Sequence, residues 1–302
     1  MLFDILKAGM EELHDDLFLH KQVSLSILRL DKIHPLVSGN KIFKLHYFLQ
    51  EAITSEHNTI LTFGGAHSNH LAATAFACNT LHLRSIGIVR GEKPAILSQT
   101  LQQCMADGMV LKFISRQAYD EKEAPAFINQ LHAEFGNCII IPEGGYHSLG
   151  AKGASLIVDL IKDKNYTHIC TASGTATTLA GLLLAADPAQ TVISVNVLKG
   201  ITDTNERIKF LTHNMHEFKN LQIFNNYHFG GYAKKTAALI EFMNHCWLKY
   251  QLPLDFVYTA KMLYGVIDGI KKDAFTKKSK IICIHTGGLQ GNKSLPLNTL
   301  LF

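Results

Sequence analysis

Hydrophobic and polar positions follow two periods along the chain, and their alternation predicts strands followed by helices. From Val23 to Leu30 apolar residues alternate with polar ones, which is the period of a half-buried strand. Apolar residues then recur three and four positions apart and predict a helix from about Lys41 to Thr54. This strand and helix begin a longer series.

Short apolar runs and longer helical stretches continue the same order as far as Ile141. The predicted strands are Thr59 to Phe63, Ser85 to Val89, Met109 to Ile114 and Cys138 to Ile141. The predicted helices are one through Cys78, one from Pro94 to Ala106 and one ending near Phe135. Strands and helices in this order are typical of a parallel sheet covered by helices.

A second series follows the interruption at Pro142, Gly144 and Gly145, which marks the best candidate boundary. Its predicted helices are Gly150 to Lys162, Thr177 to Ala186, Thr204 to His213, Ala233 to Lys249 and Met262 to Lys271. Its predicted strands are His168 to Ala172, Val192 to Val197 and Lys280 to His285. Two such series predict an α/β fold with two lobes, and ligands of such sheets bind outside the carboxyl ends of the strands.

Composition limits the possible partners. The chain has 302 residues, 47% of them hydrophobic and 18% charged, with a formal net charge of +4. A globular protein of one or two domains is expected, at about 100 to 200 residues per domain. The pI near 8.6 is too weakly basic to indicate a nucleic-acid partner. No apolar stretch approaches the roughly 18 residues of a membrane helix, so we expect no membrane partner.

Cysteine and histidine usage add two expectations. The six cysteines form no CxxC pair, and the N-terminus lacks an apolar region behind a basic start, so a reducing, cytoplasmic location is expected. Among sixteen histidines there is no HExxH pair, and His67 and His70 lack a carboxylate or Cys partner at ligand spacing. We expect no metal, and a metallohydrolase built on His67, His70 and His147 is the last-ranked alternative.

Two glycine-containing turns lie between a predicted strand and a predicted helix. Gly64 to His70 places free backbone amides, Ser68 and Asn69 at a helix start, which suits a substrate carboxylate. Ser68 or Asn69 merely capping the helix is an equally weighted alternative. Ser173 to Thr178 repeats the arrangement with four hydroxyls around one glycine, which suits a phosphate. A well-capped turn is about as probable for this motif alone.

The segment Ser38 to Lys44 brings two lysines, Lys41 and Lys44, to the start of the first helix. A positive charge there is disfavoured by the helix dipole. A lysine whose ammonium is destabilised is more readily a neutral nucleophile, as Schiff-base chemistry with an aldehyde cofactor requires. Taken alone, the motif still favours an ordinary surface lysine.

Further turns carry candidate groups. Pro142 to Gly153 is dense in glycine and predicts a hinge or a cleft-lining loop. Tyr232 follows a glycine pair and Tyr258 precedes Thr259, so either phenol is a candidate acid or base, although a packed tyrosine is the commoner case. His285 to Gly291 contains a glycine pair that would let a planar ligand approach closely.

Together the motifs resemble the 1-aminocyclopropane-1-carboxylate deaminase/D-cysteine desulfhydrase family. In chain order they are Ser-Gly-Asn-Lys-x-x-Lys, Gly-Gly-x-x-Ser-Asn, Pro-x-Gly-Gly-x-x-x-x-Gly, the Ser/Thr-rich turn, Gly-Tyr, Tyr-Thr-x-Lys and His-Thr-Gly-Gly. The resemblance covers nearly the whole chain and implies a two-lobed fold type II enzyme dependent on pyridoxal 5'-phosphate (PLP), with its active site in the cleft. It also implies a large cofactor-binding domain, 1–44 with 145–302, a small substrate-side domain, 45–144, and a homodimer.

The resemblance assigns roles to individual residues. Lys41 would carry PLP covalently, and Lys44 would be a supporting charge. Ser68, Asn69 and His70 would lie at the substrate, with Asn69 also at the cofactor, and Tyr232 and Tyr258 would be the active-site tyrosines. The cofactor phosphate would be held by Ser173, Gly174, Thr175, Ala176, Thr177 and Thr178. His67, His70, Ala176 and Thr177 depart from common family residues, which affects substrate choice more than cofactor binding.

Thr259 matches the family residue that meets the pyridine nitrogen of PLP. A hydroxyl there is expected to bond a largely neutral ring, which is a weaker electron sink than a ring held by a carboxylate. Elimination needs that sink less, so D-cysteine desulfhydrase-like β-elimination to pyruvate, sulfide and ammonia is favoured. Deamination of 1-aminocyclopropane-1-carboxylate to 2-oxobutanoate and ammonia is the alternative, with racemisation or serine dehydration as further options. A PLP-binding protein without turnover is the non-enzyme alternative.

Overall fold

Two sheets organise the chain in the computed structural model, which describes residues 7–34, 39–55, 57–163, 165–213 and 218–302. The strands are β1 Gly9–Leu13, β2 Ser24–Arg29, β3 Thr59–Gly64, β4 Arg84–Arg90, β5 Val110–Ile114, β6 Ile139–Ile141, β7 His168–Ser173, β8 Thr191–Asn196, β9 Leu221–Phe224 and β10 Lys280–His285. The large sheet has the order β1-β2-β10-β7-β8-β9, and the small one β5-β4-β3-β6. Only the β1–β2 pairing is antiparallel among them, so the predicted α/β fold with two mainly parallel sheets is confirmed.

Helices cover both sheets. They are α1 Asp16–Lys21, α2 Asn40–Thr54, α3 Asn69–Thr80, α4 Gln99–Ala106, α5 Arg116–Asp120, α6 Pro125–Phe135, α7 Ser148–Ser155, α8 Thr177–Ala185, α9 Thr204–Leu211, α10 Ala237–Tyr250 and α11 Thr259–Lys271. Short 3-10 turns occupy Leu30–Lys32, Glu143–Gly145, Val158–Leu160 and Leu289–Ser294. Among the described residues, no helix is long and apolar enough to cross a membrane.

The large sheet is buried on both faces because successive strand residues point to opposite sides. On β10, Ile282 and Ile284 join a core with α2, α7 and α8, while Ile281 and Cys283 join a second core with α10 and α11. The small sheet is covered in the same way, by α3 and α4 on one face and by α5 and α6 on the other. Two-sided burial explains why these strands are continuous apolar runs.

Glycines let the helices around the large sheet approach one another closely. A Cβ added to Gly153 on α7 would lie 2.0 Å from the Phe43 carbonyl oxygen on α2. A Cβ added to Gly181 on α8 would lie 2.5 Å from the Ala151 carbonyl oxygen on α7. Real side chains cannot occupy such spaces, so α7 fits between α2 and α8 only because these positions lack one.

Several helix boundaries differ from the sequence prediction. The helix expected from Pro94 begins at Gln99, because the Ser98 hydroxyl caps it by accepting from the Leu101 amide. The helix expected to end near Phe135 does end there; it begins at Pro125, after the shorter helix α5. The helix expected over Gly150 to Lys162 spans only Ser148–Ser155 and is followed by the 3-10 turn Val158–Leu160.

Two helices near the end of the chain begin at other residues than predicted, and three elements were not predicted at all. Helix α10 begins after Ala233, where the Thr236 hydroxyl accepts from the Leu239 amide, and α11 begins before Met262, at Thr259. Strands β1 and β9 and helix α1 were not predicted. The start of the lysine segment, Ser38, lies outside the described residues. The division into domains 1–44 with 145–302 and 45–144 stays a prediction.

Candidate active site

A cavity lies at the carboxyl ends of the central strands of the large sheet. Its wall contains the end of β7, the turn Ser173 to Thr178, and the first residues of α2 and α3. Tyr258 and the glycine pair after β10, Gly287 and Gly288, complete it. The site therefore forms where open parallel sheets bind ligands.

Lys41 is the second residue of α2 and points its amine into this cavity. Its Nζ donates to Asn40 Oδ1 at 2.8 Å and lies 5.9 Å from the centre of the Tyr258 ring. Burial lowers the pKa of Lys41 from its ordinary value of 10.5 to about 8, against the opposing effect of the Asp255 charge. Roughly one lysine in ten is then neutral at pH 7, which makes Lys41 a competent nucleophile and base.

A buried hydrogen bond joins the lysine helix to the Ser/Thr-rich turn. Asn40 Nδ2 donates to Thr178 Oγ1 at 2.7 Å, although the two residues are 138 positions apart. Asn40 thus has its amide group fixed at both ends, by Thr178 and by Lys41. This bond sets the distance between the amine and the start of α8.

The start of α8 is arranged as an anion site. Its N-cap residue, Ala176, has φ +62° in the left-handed region, and no described side chain caps the helix. The amides of the first turn are therefore free for a ligand. The Thr175 and Thr177 hydroxyls lie 2.9 Å apart beside these amides, and Thr178 adds a third. Amides and hydroxyls converging on a helix start suit a phosphate.

Lys44 lies one turn after Lys41 and also lines the cavity. Its Nζ donates to the Gly144 carbonyl oxygen at 3.2 Å. Burial, together with the positive charge of Lys41, holds the pKa of Lys44 well below its ordinary value of 10.5. An anion bound in the cavity would oppose both effects and favour the charged form of Lys44.

The turn before α3 divides its three polar residues between different roles. Ser68 caps α3, since its hydroxyl accepts from the Leu71 amide at 3.2 Å. Asn69 lines the cavity, and its Oδ1 is buried with no partner among the described residues. An amide oxygen left in this state indicates a missing ligand group.

His70 is turned away from Asn69 toward the small sheet. Thr62 donates its hydroxyl proton to the Ile141 carbonyl oxygen at 2.8 Å, so it accepts from His70 Nε2 at 3.0 Å. His70 Nδ1 then carries a lone pair, buried without a partner among the described residues. Burial and the charges of Lys41 and Lys44 lower the pKa of His70 to about 3, so the ring is neutral.

Two tyrosines lie near each other at the cavity. Tyr258 forms part of the wall, and burial raises the pKa of its phenol well above the ordinary value of 10, so the hydroxyl keeps its proton. Tyr232 is 57% exposed, and the centre of its ring lies 6.2 Å from that of Tyr258. The Gly231 carbonyl beside Tyr232 is held by Lys261 Nζ at 2.7 Å, and Lys261 is fully buried.

Thr259 follows Tyr258 but is fully buried and is not among the residues that line the cavity. Its hydroxyl donates a hydrogen bond to Asp255 instead. Asp255 Oδ1 accepts from the Thr259 hydroxyl at 2.8 Å and from the Thr259 amide at 2.9 Å. Its Oδ2 accepts from the amides of Val257 and Tyr258, both at 2.9 Å. The buried Asp255 carboxylate therefore accepts four hydrogen bonds, three of them from backbone amides.

Most residues that the sequence singled out come together here. Lys41, Asn69, Tyr258 and the whole turn Ser173 to Thr178 line the cavity. Ser68, His70, Tyr232 and Thr259 lie next to lining residues, and their proposed roles stay predictions. Asp255, which accepts from three backbone amides in the loop before α11, was missed, because the N-cap position of that helix is Tyr258 and no sequence signal marks Asp255.

The structure does not bring His67, His70 and His147 together as a metal site. His67 is exposed, and the His147 Nδ1 accepts from the Leu149 amide at 3.2 Å. Within the described ranges, no three His, Cys, Asp or Glu side chains form a group that could hold a metal ion.

Known proteins resemble the chain along most of its length. A family model described as pyridoxal-phosphate dependent enzyme matches residues 17–287. A mitochondrial protein of Arabidopsis thaliana, named as a bifunctional D-cysteine desulfhydrase/1-aminocyclopropane-1-carboxylate deaminase, is 31% identical over 280 residues, covering 84% of this chain and 70% of the relative. A D-cysteine desulfhydrase of Salmonella choleraesuis is 25% identical over 285 residues, covering 86% of each. The crystal structure of an ACC deaminase homologue superposes with a TM-score of 0.80 at 25% identity, over 96% of this chain and 92% of that one.

Proposed function

The chain belongs to the family of pyridoxal-phosphate dependent enzymes, and from this premise we propose that it eliminates the β-substituent of a small amino acid. The substrate class that fits best is D-cysteine. The overall reaction takes up one water and releases pyruvate, hydrogen sulfide and ammonia. The names of the Arabidopsis and Salmonella relatives support this choice.

The residues of the cavity fit PLP. Lys41 offers an amine whose pKa burial lowers to about 8, ready to bond the aldehyde. The uncapped start of α8 and the hydroxyls of Thr175 and Thr177 would hold the phosphate, with Lys44 as a counter-charge. The unpartnered Asn69 Oδ1 is placed to meet a polar group of the cofactor.

When bound, PLP supplies an electron-withdrawing ring that stabilises negative charge at the substrate Cα. Lys41 Nζ is the base that removes the proton from Cα, because its lowered pKa leaves a neutral fraction at physiological pH. Asn40 orients this amine through its 2.8 Å hydrogen bond. The amine therefore has both the protonation state and the fixed direction that proton removal requires.

Binding of the substrate carboxylate and release of sulfide fall to other groups. Ser68 and Asn69, at the start of α3, would hold the carboxylate. Tyr258 is the acid that donates its proton to the leaving sulfur, since burial keeps the phenol protonated. Tyr232, beside it at the exposed edge, would assist by bonding the Tyr258 hydroxyl.

The observation that carries the proposal is the pair formed by Lys41 and the uncapped start of α8, tied together by the Asn40–Thr178 hydrogen bond. One cavity therefore contains an amine that can bond the aldehyde of PLP and a helix start that can hold its phosphate. Deamination of 1-aminocyclopropane-1-carboxylate is a second candidate, favoured by the bifunctional Arabidopsis relative and by the ACC deaminase homologue with the same fold.

The test has a binding part and a turnover part. The purified protein should show the visible absorbance of lysine-bound PLP, and borohydride reduction should fix the cofactor on Lys41. Lys41→Ala should lose that label, whereas Lys93→Ala, at an exposed lysine, should keep it. A label that persists in Lys41→Ala would refute the assignment.

Turnover is then measured with D-cysteine, L-cysteine, D-serine and 1-aminocyclopropane-1-carboxylate. Pyruvate plus sulfide from D-cysteine supports the main proposal, and 2-oxobutanoate from the cyclopropane supports the second candidate. Bound PLP with no 2-oxo acid from any of the four compounds would refute both.

Assembly, location and domain division complete the proposal. The family resemblance supports a homodimer, which light scattering of the purified protein tests. All six cysteines are buried free thiols, which supports a reducing, cytoplasmic location. The small sheet, from β3 to β6, supports the proposed small domain 45–144.

A further inference from the structure

A buried ion pair lies at the carboxyl ends of two neighbouring strands of the large sheet. Arg29 ends β2 and lies opposite His285, which ends β10. Asp31 accepts two bonds from the Arg29 guanidinium, from Nε to Oδ1 at 2.9 Å and from Nη2 to Oδ2 at 2.7 Å. Both side chains of the pair are only 4% exposed. The proposed reaction gives this pair no role.

The carboxylate of Asp31 is charged and held in place. Burial alone would raise its pKa, but the charge that His285 carries when protonated, together with the bonds and charge of Arg29, holds the pKa below the ordinary value of 3.8. Arg29 Nη1 also donates to Glu11 Oε2 on β1 at 2.6 Å, and Lys32 pairs with the same Glu11. Asp31 is therefore a charged acceptor whose position is set by Arg29.

His285 is 1% exposed, and its ring connects three segments of the chain. Its Nε2 lies 2.8 Å from the Pro253 carbonyl oxygen, which can only accept, so Nε2 carries a proton. Its Nδ1 lies 3.2 Å from Asp31 Oδ1 and 3.3 Å from the Gly287 amide nitrogen. With a proton Nδ1 donates to Asp31, and without one it accepts from Gly287. The ring is therefore held at both nitrogens in either protonation state.

The start of α2 is attached to the same two strand ends. The Asn40 amide donates to the Thr286 carbonyl oxygen at 3.2 Å, and the Gly39 amide donates to the Leu30 carbonyl oxygen at 2.9 Å. Thr286 directly follows the histidine, and Leu30 separates the two members of the ion pair. A Cβ added to Gly39 would lie 1.9 Å from the Thr286 oxygen, so the two segments are in close contact. A shift of either strand end would therefore move Asn40, whose side chain orients the Lys41 amine.

We propose that His285 is a positioning residue for Lys41, because it holds the end of β10 against the buried ion pair and so fixes the backbone on which α2 begins. This inference rests on the proposed function only in taking Lys41 as the reacting amine. The contacts run from Asp31 to His285, along one peptide bond to Thr286, through a hydrogen bond to Asn40, and from there to Lys41 Nζ.

A purely stabilising role for His285 predicts a different result. Loss of its hydrogen bonds would lower the free energy of unfolding in either case. Only a positioning role also changes the Lys41 amine within the folded protein. Burial lowers the pKa of this amine from 10.5 to about 8, so an amine that leaves its place should regain a higher pKa.

The experiment measures the ionisation of Lys41 in the folded, full-length chain after removal of cofactor with hydroxylamine. Trace acetylation is followed by mass spectrometry from pH 6 to pH 11, with the exposed Lys93 as reference for the reagent. The wild-type midpoint for Lys41 is expected near pH 8. In His285→Gln it should rise by about one unit or more, which lowers the neutral fraction at pH 7 about tenfold for each unit.

Two further variants separate positioning from folding. Asp31→Asn removes the charge that faces Nδ1 and should also raise the Lys41 midpoint. His168→Gln changes a histidine at the opposite end of the same sheet, where it begins β7 and packs against Phe275, and should leave the midpoint near 8. Circular dichroism establishes that each protein is folded, and if His285→Gln is not, Asp31→Asn decides the question.

Each outcome separates the inference from the proposed function. A Lys41 midpoint that stays near 8 in folded His285→Gln, or that moves equally in His168→Gln, overturns the inference and leaves the proposed function standing. A wild-type midpoint near 10.5 overturns it whatever the variants do. A wild-type midpoint near 8 in a protein that forms no lysine-bound PLP refutes the proposed function, while the positioning of Lys41 by His285 is still decided by the variants.

Discussion

Replacing Lys41 by methionine should stabilise the cofactor-free protein while abolishing its function. Burial lowers the pKa of Lys41 from 10.5 to about 8. At about 1.4 kcal/mol for each pKa unit, keeping this lysine charged in the folded state costs about 3 kcal/mol. The variant also loses the hydrogen bond to Asn40, which contributes about 1 kcal/mol. We expect the free energy of unfolding to rise by about 2 kcal/mol at pH 7.

The increase in the free energy of unfolding expected for Lys41→Met depends on pH. The unfolded chain keeps the lysine proton up to about pH 10.5, whereas the folded chain loses it near pH 8. Below pH 8 both states are protonated and the folded state carries the full cost; above pH 10.5 neither state is protonated and the cost disappears. The advantage of Lys41→Met is therefore largest below pH 8 and shrinks as the pH rises toward 10.5.

The assay is urea denaturation of both proteins after removal of cofactor with hydroxylamine, at pH 7 and at pH 10. Lys93→Met, at an exposed position, is the control and should change the free energy of unfolding by less than about 0.5 kcal/mol. A Lys41→Met protein that is less stable than wild type at pH 7, or whose advantage grows with pH, would refute the reasoning.

Three other substitutions test the surroundings of the site. Lys261→Met should leave the buried Gly231 carbonyl unpaired and lower turnover by loosening the adjacent tyrosine turn, seen as faster amide exchange there. Thr62→Val should remove the partner of His70 Nε2 and lower the free energy of unfolding by about 1–3 kcal/mol in urea melts. Gly39→Ala, with φ +87° and an added Cβ 1.9 Å from a backbone oxygen, should abolish cofactor retention in absorbance spectra.

Regular elements with strong apolar patterns were predictable from the sequence. Strand β10 spans Lys280–His285 as expected, and α2 and α8 lie within a residue of their predicted bounds, because buried faces impose a clear period. Strand β9, Leu221–Phe224, was missed because it is a short edge strand with only partly buried side chains. Beyond Ser155 the chain leaves the α-helix, but Ile157 and Ile161 stay buried, so a helical pattern persists without an α-helix.

The site was predictable as a set of turns but not as a set of contacts. The strand-to-helix turn Ser173 to Thr178 was recognised as a candidate anion site from its own residues, whereas Lys41 was singled out only through the family resemblance; both line the cavity. The proton held by Asp255 on Thr259 depends on one loop conformation, which no residue pattern specifies. The sequence therefore predicted which turns form the site, but not the hydrogen bonds between their side chains.

The pairing of β2 with β10 has a consequence for biosynthesis. Ser24–Arg29 pairs with Lys280–His285, so the large sheet cannot close until β10 has left the ribosome. The four strands of the small sheet all lie between Thr59 and Ile141 and are complete when half of the chain is still unmade. Lys41 emerges early, but the start of α8 and the turn after β10, which line the same cavity, are made much later. The cavity that we propose for the cofactor is therefore complete only after β10 has been made, and a nascent chain stalled before β10 would expose an unfinished sheet to chaperones.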